Sequence, residues 1–252
     1  MTEQAATYPS LAGKSVVVTG GASGIGAEIV RGFVAQGARV GFLDLDAAAA
    51  EALCAELEDA PVFAQCDLRD IAALQAALAE IARANGPAEV LVNNAARDDR
   101  HDWREVTEAY WDERMQNNLR HMFFAIQAVA PGMIAAGGGA VVNVGSNSWH
   151  ETAGGFPAYA TAKAGVEGLT RTLARDLGVH RIRVNTVVPG WVMTERQRAL
   201  WVTPEKVAAQ KAQQCLPDLI APDAVARMVL FLASDEARFC TAGAFPVTAG
   251  SV

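Results

Sequence analysis

Lys14-Ser-Val-Val-Val-Thr19-Gly20-Gly21-Ala22-Ser23-Gly24-Ile25-Gly26 is the stretch from which the fold can be read. Its first half is a short apolar run rich in β-branched valine, which reads as a buried strand. Its second half is a glycine turn, after which Ile25, Ile29, Phe33 and Val34 recur at helical spacing until Gly37. Strand, glycine loop and amphipathic helix, in that order, open a βαβ unit. The glycines at 20, 24 and 26 let the backbone turn tightly and come close to a diphosphate, whose charge the helix N-terminal amides would bind. Ser23 adds a hydroxyl donor, so the ligand expected at this loop is a dinucleotide.

The pattern continues outward from that loop. A second strand over 40–43 ends at Asp44, eighteen residues past Gly26. A carboxylate there accepts hydrogen bonds from both adenosine ribose hydroxyls and repels a 2′-phosphate, which favours NAD over NADP. Capping the next helix is its other possible role, and Asp46 competes for that position. The helix runs to about 58, with the alanines 47–50 inside it. A strand over 62–65 leads to Asp67, which serves either as an adenine partner or as a turn residue. A helix over 71–84, a strand over 90–92 running into Asn93-Asn94-Ala95-Ala96, and one long helix over 108–136 follow. The remaining strands are 141–144, 183–188 and a short 245–248. Helices are expected from Tyr159 onward and over 222–233, and 191–220 is irregular with helical pieces. Pro246 cannot donate in a central ladder, which puts the last strand at an edge or shortens it. Strands alternating with helices of this length predict an α/β fold: one doubly wound parallel sheet of about seven strands with helices on both faces. No Pro/Ser-rich linker divides the chain, so residues 1–252 are expected to form a single domain with a substrate loop at roughly 190–220.

Composition narrows the function classes. A formal charge of −7 with basic residues scattered singly argues against nucleic acid and anionic membrane surfaces. The first ten residues lack the apolar core of a signal peptide, and no apolar stretch approaches the ~18 residues that span a bilayer. The cysteines at 54, 66, 215 and 240 have neither zinc nor disulfide spacing and read as reduced thiols in a cytoplasm. His101 and His121 lack metal-ligand spacing, and no metal is expected.

The chemistry concentrates in Val141-Val-Asn-Val-Gly145-Ser146 and Tyr159-Ala-Thr-Ala-Lys163. Tyr159 and Lys163 lie four apart and share one helix face. A phenol is a poor base at neutral pH, and an ammonium one turn away is expected to lower its pKa. A serine at the end of the neighbouring strand would hydrogen-bond the same substrate oxygen. This is the outline of a proton-transfer site.

Taken together, Thr19-Gly20-x-x-x-Gly24-Ile25-Gly26, Asn93-Asn94-Ala95, Asn118, Ser146, Tyr159-x-x-x-Lys163 and Pro189-Gly190 resemble the short-chain dehydrogenase/reductases in order and spacing over nearly the whole chain. The resemblance implies Tyr159 as acid/base, Ser146 orienting the reacting oxygen, Lys163 on the nicotinamide ribose, and Asn118 holding a water in a proton relay. It implies a dinucleotide site of Gly20, Ser23, Gly24, Ile25, Gly26, Asp44, Leu45, Asp67, Leu68, Asn94, Ala95, Ala96, Tyr159, Lys163, Pro189, Gly190, Val192 and Thr194, and a homotetramer. Segments such as Asp98-Asp99-Arg100-His101, Ser146-Asn147-Ser148-Trp149-His150, Arg196-Gln197 and Trp201-x-Thr203-Pro204 look like those of bacterial aldose 1-dehydrogenases. That closer resemblance implies hydride transfer from C1 of an aldopyranose to NAD, giving a lactone. Arg97, Ser146, Asn147, Ser148, Trp149, His150, Tyr159 and Trp191 would then face the sugar. Ala96 in place of glycine, Arg97 in place of asparagine and Asn147 in place of an apolar residue depart from the pattern near the pocket mouth. The same proton machinery also suits a reductase of ketones or 3-oxoacyl substrates, or a dinucleotide sensor that has lost catalysis.

Overall fold

The protein is described by a computed structural model over residues 6–58 and 60–251. The start of the N-terminal segment, residues 1–5, lies outside it. All seven strands are parallel and form one sheet in the order β3-β2-β1-β4-β5-β6-β7. They are β1 (Ser15–Thr19), β2 (Arg39–Asp44), β3 (Val62–Gln65), β4 (Val90–Asn93), β5 (Gly139–Val144), β6 (Ile182–Pro189) and β7 (Ala244–Val247). Every residue of β1 and β4 is buried, as a strand covered on both faces must be. Pro246 sits opposite Val188 on β7, the outermost strand, where its missing N–H breaks no central ladder.

Helices α1 (Gly24–Ala35) and α9 (Pro222–Ala233) cover one face, packing Ile29, Phe33, Val229 and Leu232 against β1, β2 and β5. On the other face lie α3 (Ile71–Asn85), α5 (His121–Ala135) and α6 (Pro157–Gly178). Helix α2 (Ala47–Glu56) is capped by Asp46, whose carboxylate accepts from Ala49 N at 3.1 Å. It stops two residues short of the expected end. The segment 191–220 contains two real helices, α7 (Glu195–Leu200) and α8 (Pro204–Gln213), each capped by a threonine, Thr194 and Thr203.

One expectation needs correction. The long helix over 108–136 is α4 (Glu108–Met115), a π-helical turn (Gln116–Arg120) and α5. Asn118 Nδ2 donates to the Arg114 carbonyl at 2.9 Å, occupying an acceptor that the α-helical ladder would otherwise use for the Asn118 backbone amide. The wider turn places Asn118, fully buried, beside the loop that leaves β4. The chain reverses direction across the sheet between β1 and β4, so a crevice opens at the carboxyl ends of the strands.

Candidate active site

That crevice is a cleft of about 1060 Å³, at the upper end for ligand sites and long enough for a dinucleotide with a small substrate. Every residue expected at the dinucleotide lines it. The phosphate loop leaves β1 at Gly20, whose φ of +66° is left-handed and on which a Cβ would fall 2.7 Å from Ala95 Cα. A Cβ on Gly26 would fall 1.8 Å from the Gly20 carbonyl oxygen, so the loop closes only around glycine. Ser23 stands at the N-cap of α1 without spending its hydroxyl on a cap bond. The loop therefore offers backbone amides, a helix N-terminus and a free hydroxyl, a donor set that fits a diphosphate. Asn94 holds the loop from below: its Nδ2 donates to Gly20 O at 2.8 Å and Thr19 O at 3.2 Å.

At the adenosine end, Asp44 accepts from Ala22 N at 2.9 Å and from Asp46 N at 3.1 Å, and the helix cap falls to Asp46. Asp67 is gripped by Arg69, whose Nη2 donates at 2.7 Å and whose backbone amide donates at 3.0 Å. Those bonds hold the Asp67 carboxyl below its usual range and give it the turn role, while it still faces the cleft. At the other end Pro189 closes β6, Gly190 N donates to Val247 O at 3.0 Å, and Val192 pairs with Ile220. Thr194 stands against the phosphate loop, its methyl 3.2 Å from where a Gly24 Cβ would lie.

Ser146 follows β5, and Tyr159 and Lys163 project from α6 into the same part of the cleft. Ser146 Oγ donates to Ser148 Oγ at 3.0 Å, Ser146 and Tyr159 both line the cleft, and Phe156 packs edge-on against the Tyr159 ring at 5.8 Å. Lys163 is 1% exposed; its Nζ donates to Val144 O at 2.7 Å and lies 5.8 Å from the Tyr159 ring centre. The expected acidification of Tyr159 is corrected by this geometry. Burial pushes the phenol up to about 12; nearby Ser146 and Arg100 pull it down, and Asp98 pushes it up. Burial likewise lowers the Lys163 amine to about 7. Desolvation outweighs the charge pairing that spacing alone suggested, because the Lys163 amine is buried on the Val144 carbonyl and the protein packed around Tyr159 removes much of its water.

The structure separates some residues the sequence grouped. Asn118 lies outside the cleft lining, and its side chain is spent: Oδ1 accepts from Arg97 N at 2.7 Å while Nδ2 binds Arg114 O. Asn147 is buried and donates to Ser251 O at 2.8 Å and Glu151 Oε1 at 2.9 Å, tying the catalytic loop to the C-terminal segment. Trp149 and His150 stack on each other at the surface, His150 Nε2 lies 3.0 Å from Glu167 Oε1, and neither ring lines the cleft. Arg97, Asn147, Ser148 and Trp191 do line it, Asn147 with its amide already bonded to Ser251 and Glu151. His121 is fully buried with Nε2 3.1 Å from Ala95 O, and burial lowers its pKa to about 4. His101 Nδ1 meets the Tyr110 hydroxyl at 2.9 Å.

Among the cleft residues not singled out individually in the sequence are Asp98, Arg100 and Phe156. The Arg100 guanidinium lies 4.2 Å over Phe156 and 5.4 Å over Trp201, joining three loops across the cleft mouth. The run of charges 97–100 after β4 was the available signal.

Comparison with known proteins agrees with this geometry. A family model described as "Enoyl-(Acyl carrier protein) reductase" matches residues 20–251. D-xylose 1-dehydrogenase of Caulobacter vibrioides is 54% identical over 97% of this chain and 98% of that protein. Probable galactose dehydrogenase GalD of Rhizobium meliloti is 47% identical over 99% of both chains. Among solved structures, a blue fluorescent protein from a metagenomic library in complex with NADPH superposes with a TM-score of 0.89 at 36% identity, covering 96% of this chain and 99% of that one. Since the matched region takes in the glycine loop, Ser146, Tyr159 and Lys163 at their expected spacing, the chain belongs to the short-chain dehydrogenase/reductase family of oxidoreductases.

Proposed function

We propose that this protein is an NAD-dependent aldose 1-dehydrogenase. The observation that carries the reading is that Ser146, Tyr159 and Lys163 line one cleft that also contains a glycine loop shaped for a diphosphate. A nicotinamide dinucleotide, when bound, supplies the hydride acceptor for C1 of the sugar. The chain's own residues handle the proton and the position. Ser146 hydrogen-bonds the C1 hydroxyl oxygen and orients it toward Tyr159. The Tyr159 phenolate takes the hydroxyl proton as the C1–O bond becomes a carbonyl. Lys163 lies one turn along α6, its amine anchored on Val144 O, where it would face the cofactor ribose.

Because burial raises the phenol to about 12, little of Tyr159 is phenolate at neutral pH, and sugar oxidation is expected to speed up as pH rises. Asp44, whose oxygens each accept one backbone amide and keep a second lone pair for ribose hydroxyls, is hostile to a 2′-phosphate and supports NAD as the partner. Its relatives' names support sugars, and the polar cleft mouth suits hydroxyl-rich ligands. Free thiols at 54, 66, 215 and 240 support a cytoplasmic setting, and among the described residues no helix is long and apolar enough to cross a membrane. Bare apolar side chains such as Phe123 and Phe239 support a homotetramer, which sedimentation would test.

Initial rates decide the reading. NAD with a panel of pentoses and hexoses should give reduced cofactor, faster than NADP does. Turnover confined to NADPH with ketones or acyl thioesters would replace it with a carbonyl reductase.

A further inference from the structure

Two adjacent carboxylates after β4 are used very differently. Asp99 is saturated: Arg114 Nη1 lies at 2.6 Å, Arg196 Nη2 at 2.8 Å and Arg97 Nε at 3.0 Å. Asp98 has one hydrogen bond, from Gln197 Nε2 to Oδ2 at 2.7 Å. Its Oδ1 has only Arg196 Nε at 3.7 Å, beyond hydrogen-bonding distance. Gln197 is itself fixed, since its Oε1 accepts from Trp191 Nε1 at 2.9 Å and its backbone amide donates to Thr194 Oγ1 at 3.2 Å. Asp98 therefore reaches the cleft wall with one oxygen held and the other available, in the cleft that holds Ser146 and Tyr159.

We propose that Asp98 is a specificity-determining residue that accepts hydrogen bonds from the sugar's ring hydroxyls through Oδ1, with Gln197 as the positioning residue that fixes its carboxylate. This rests on the aldose reading above. A carboxylate oxygen accepts hydrogen bonds and donates none, so Oδ1 favours a ligand that presents hydroxyl donors over ketones or acyl chains. Its placement is also electrostatically close to the reacting group, since its charge raises both Tyr159 and Lys163. The bond from Gln197 couples recognition to the substrate loop: the residue that holds Asp98 is carried on α7, between Thr194 and Trp201.

The test uses the full-length enzyme with NAD, D-xylose, D-galactose and the single-deoxy analogues of each. In the wild type, removing the hydroxyl that Asp98 reads should lower kcat/KM by at least about tenfold, because a charge-assisted hydrogen bond to a half-buried carboxylate is lost. In Asp98→Ala that penalty should shrink to about twofold, while the penalties for the other hydroxyls persist. Asp98→Asn retains an oxygen for Gln197 and places an amide toward the substrate, so it keeps the loop in place if the alanine variant misfolds. It should show the same loss of discrimination, with NADH affinity unchanged. Gln197→Leu should raise KM more than it lowers kcat and flatten the same penalty, whereas Gln197→Glu should not restore it. An unchanged penalty profile in both Asp98 variants overturns the proposal and leaves the aldose reading intact. A wild type that oxidises no aldose at all overturns both.

Discussion

The two ends of the cleft are built from different material. The dinucleotide end is backbone and buried core: Gly20 against Ala95, Gly26 against the Gly20 carbonyl, Asn94 and Thr19 bonding the loop from below, all at the ends of fully buried strands. The sugar end is side chains on loops: Asp98, Asp99, Arg100, Arg196 and Gln197, joined by ion pairs and one guanidinium held between aromatic faces. Close packing of backbone leaves almost no freedom to change residues, so the first end is rigid and uniform in its demands. Surface ion pairs hold geometry for very little stability, so the second end can be rebuilt for a new substrate without endangering the fold. This division lets one sheet keep a single redox partner while its loops choose the substrate.

The variant with the largest expected effect sits where the two ends meet. Tyr159→Phe should cost about 10²-fold or more in kcat while leaving cofactor affinity nearly unchanged, as seen by stopped-flow rates beside NADH titration. A parallel loss of cofactor affinity would show that Tyr159 belongs to the rigid end. Gly26→Ala comes next. Its Cβ cannot coexist with the Gly20 carbonyl, so the loop must shift, at a cost of roughly 1–3 kcal/mol in stability and a comparable loss of NADH affinity. Calorimetry and titration would check it; an alanine variant with wild-type affinity would mean the loop is softer than its packing implies.

Acid sensitivity should also separate the ends. His121 is buried beneath Ala95 with its pKa lowered to about 4 from an ordinary 6.5. Between those values the unfolded chain takes up a proton that the folded chain refuses, so stability falls as pH drops from 6.5 to 4. Denaturation at pH 7 and pH 4.5 should show His121→Gln losing less stability than the wild type, by about 1–3 kcal/mol. Equal losses would assign acid lability to the carboxylates alone. The smallest effect belongs to Arg196→Ala, at the loop end. Its exposed pairs with Asp98 and Asp99 should be worth at most about 1 kcal/mol, so melting barely moves while KM for the sugar rises about two- to fivefold.

The same contrast explains what the sequence revealed. Strand positions, glycine loop and the Ser146, Tyr159 and Lys163 positions follow from local period and spacing, and all three of those side chains line one cleft. Helix α9 ends where periodicity placed it, at Pro222–Ala233. Properties that depend on tertiary surroundings did not follow. Spacing put an ammonium near Tyr159, but the amine bonds Val144 and burial decides both pKa values. Periodicity gave one helix over 108–136, but Asn118 took a carbonyl from its ladder. Asn147 lines the cleft as its place beside Ser146 suggested, but its amide holds Ser251, more than a hundred positions away. Trp149 and His150 looked like sugar contacts, yet their stack turns toward Glu167. Long-range partners of this kind leave no mark on local sequence.

The most direct measurement is label transfer. NAD should be incubated with an aldose deuterated at C1, using wild type and Tyr159→Phe side by side. The wild type should move the deuterium into the reduced nicotinamide, form one lactone per label transferred, and show a primary isotope effect; the phenylalanine variant should do so at least about a hundredfold more slowly. Reduced cofactor without deuterium, or equal rates in the two proteins, would contradict hydride transfer from C1 with Tyr159 as the base.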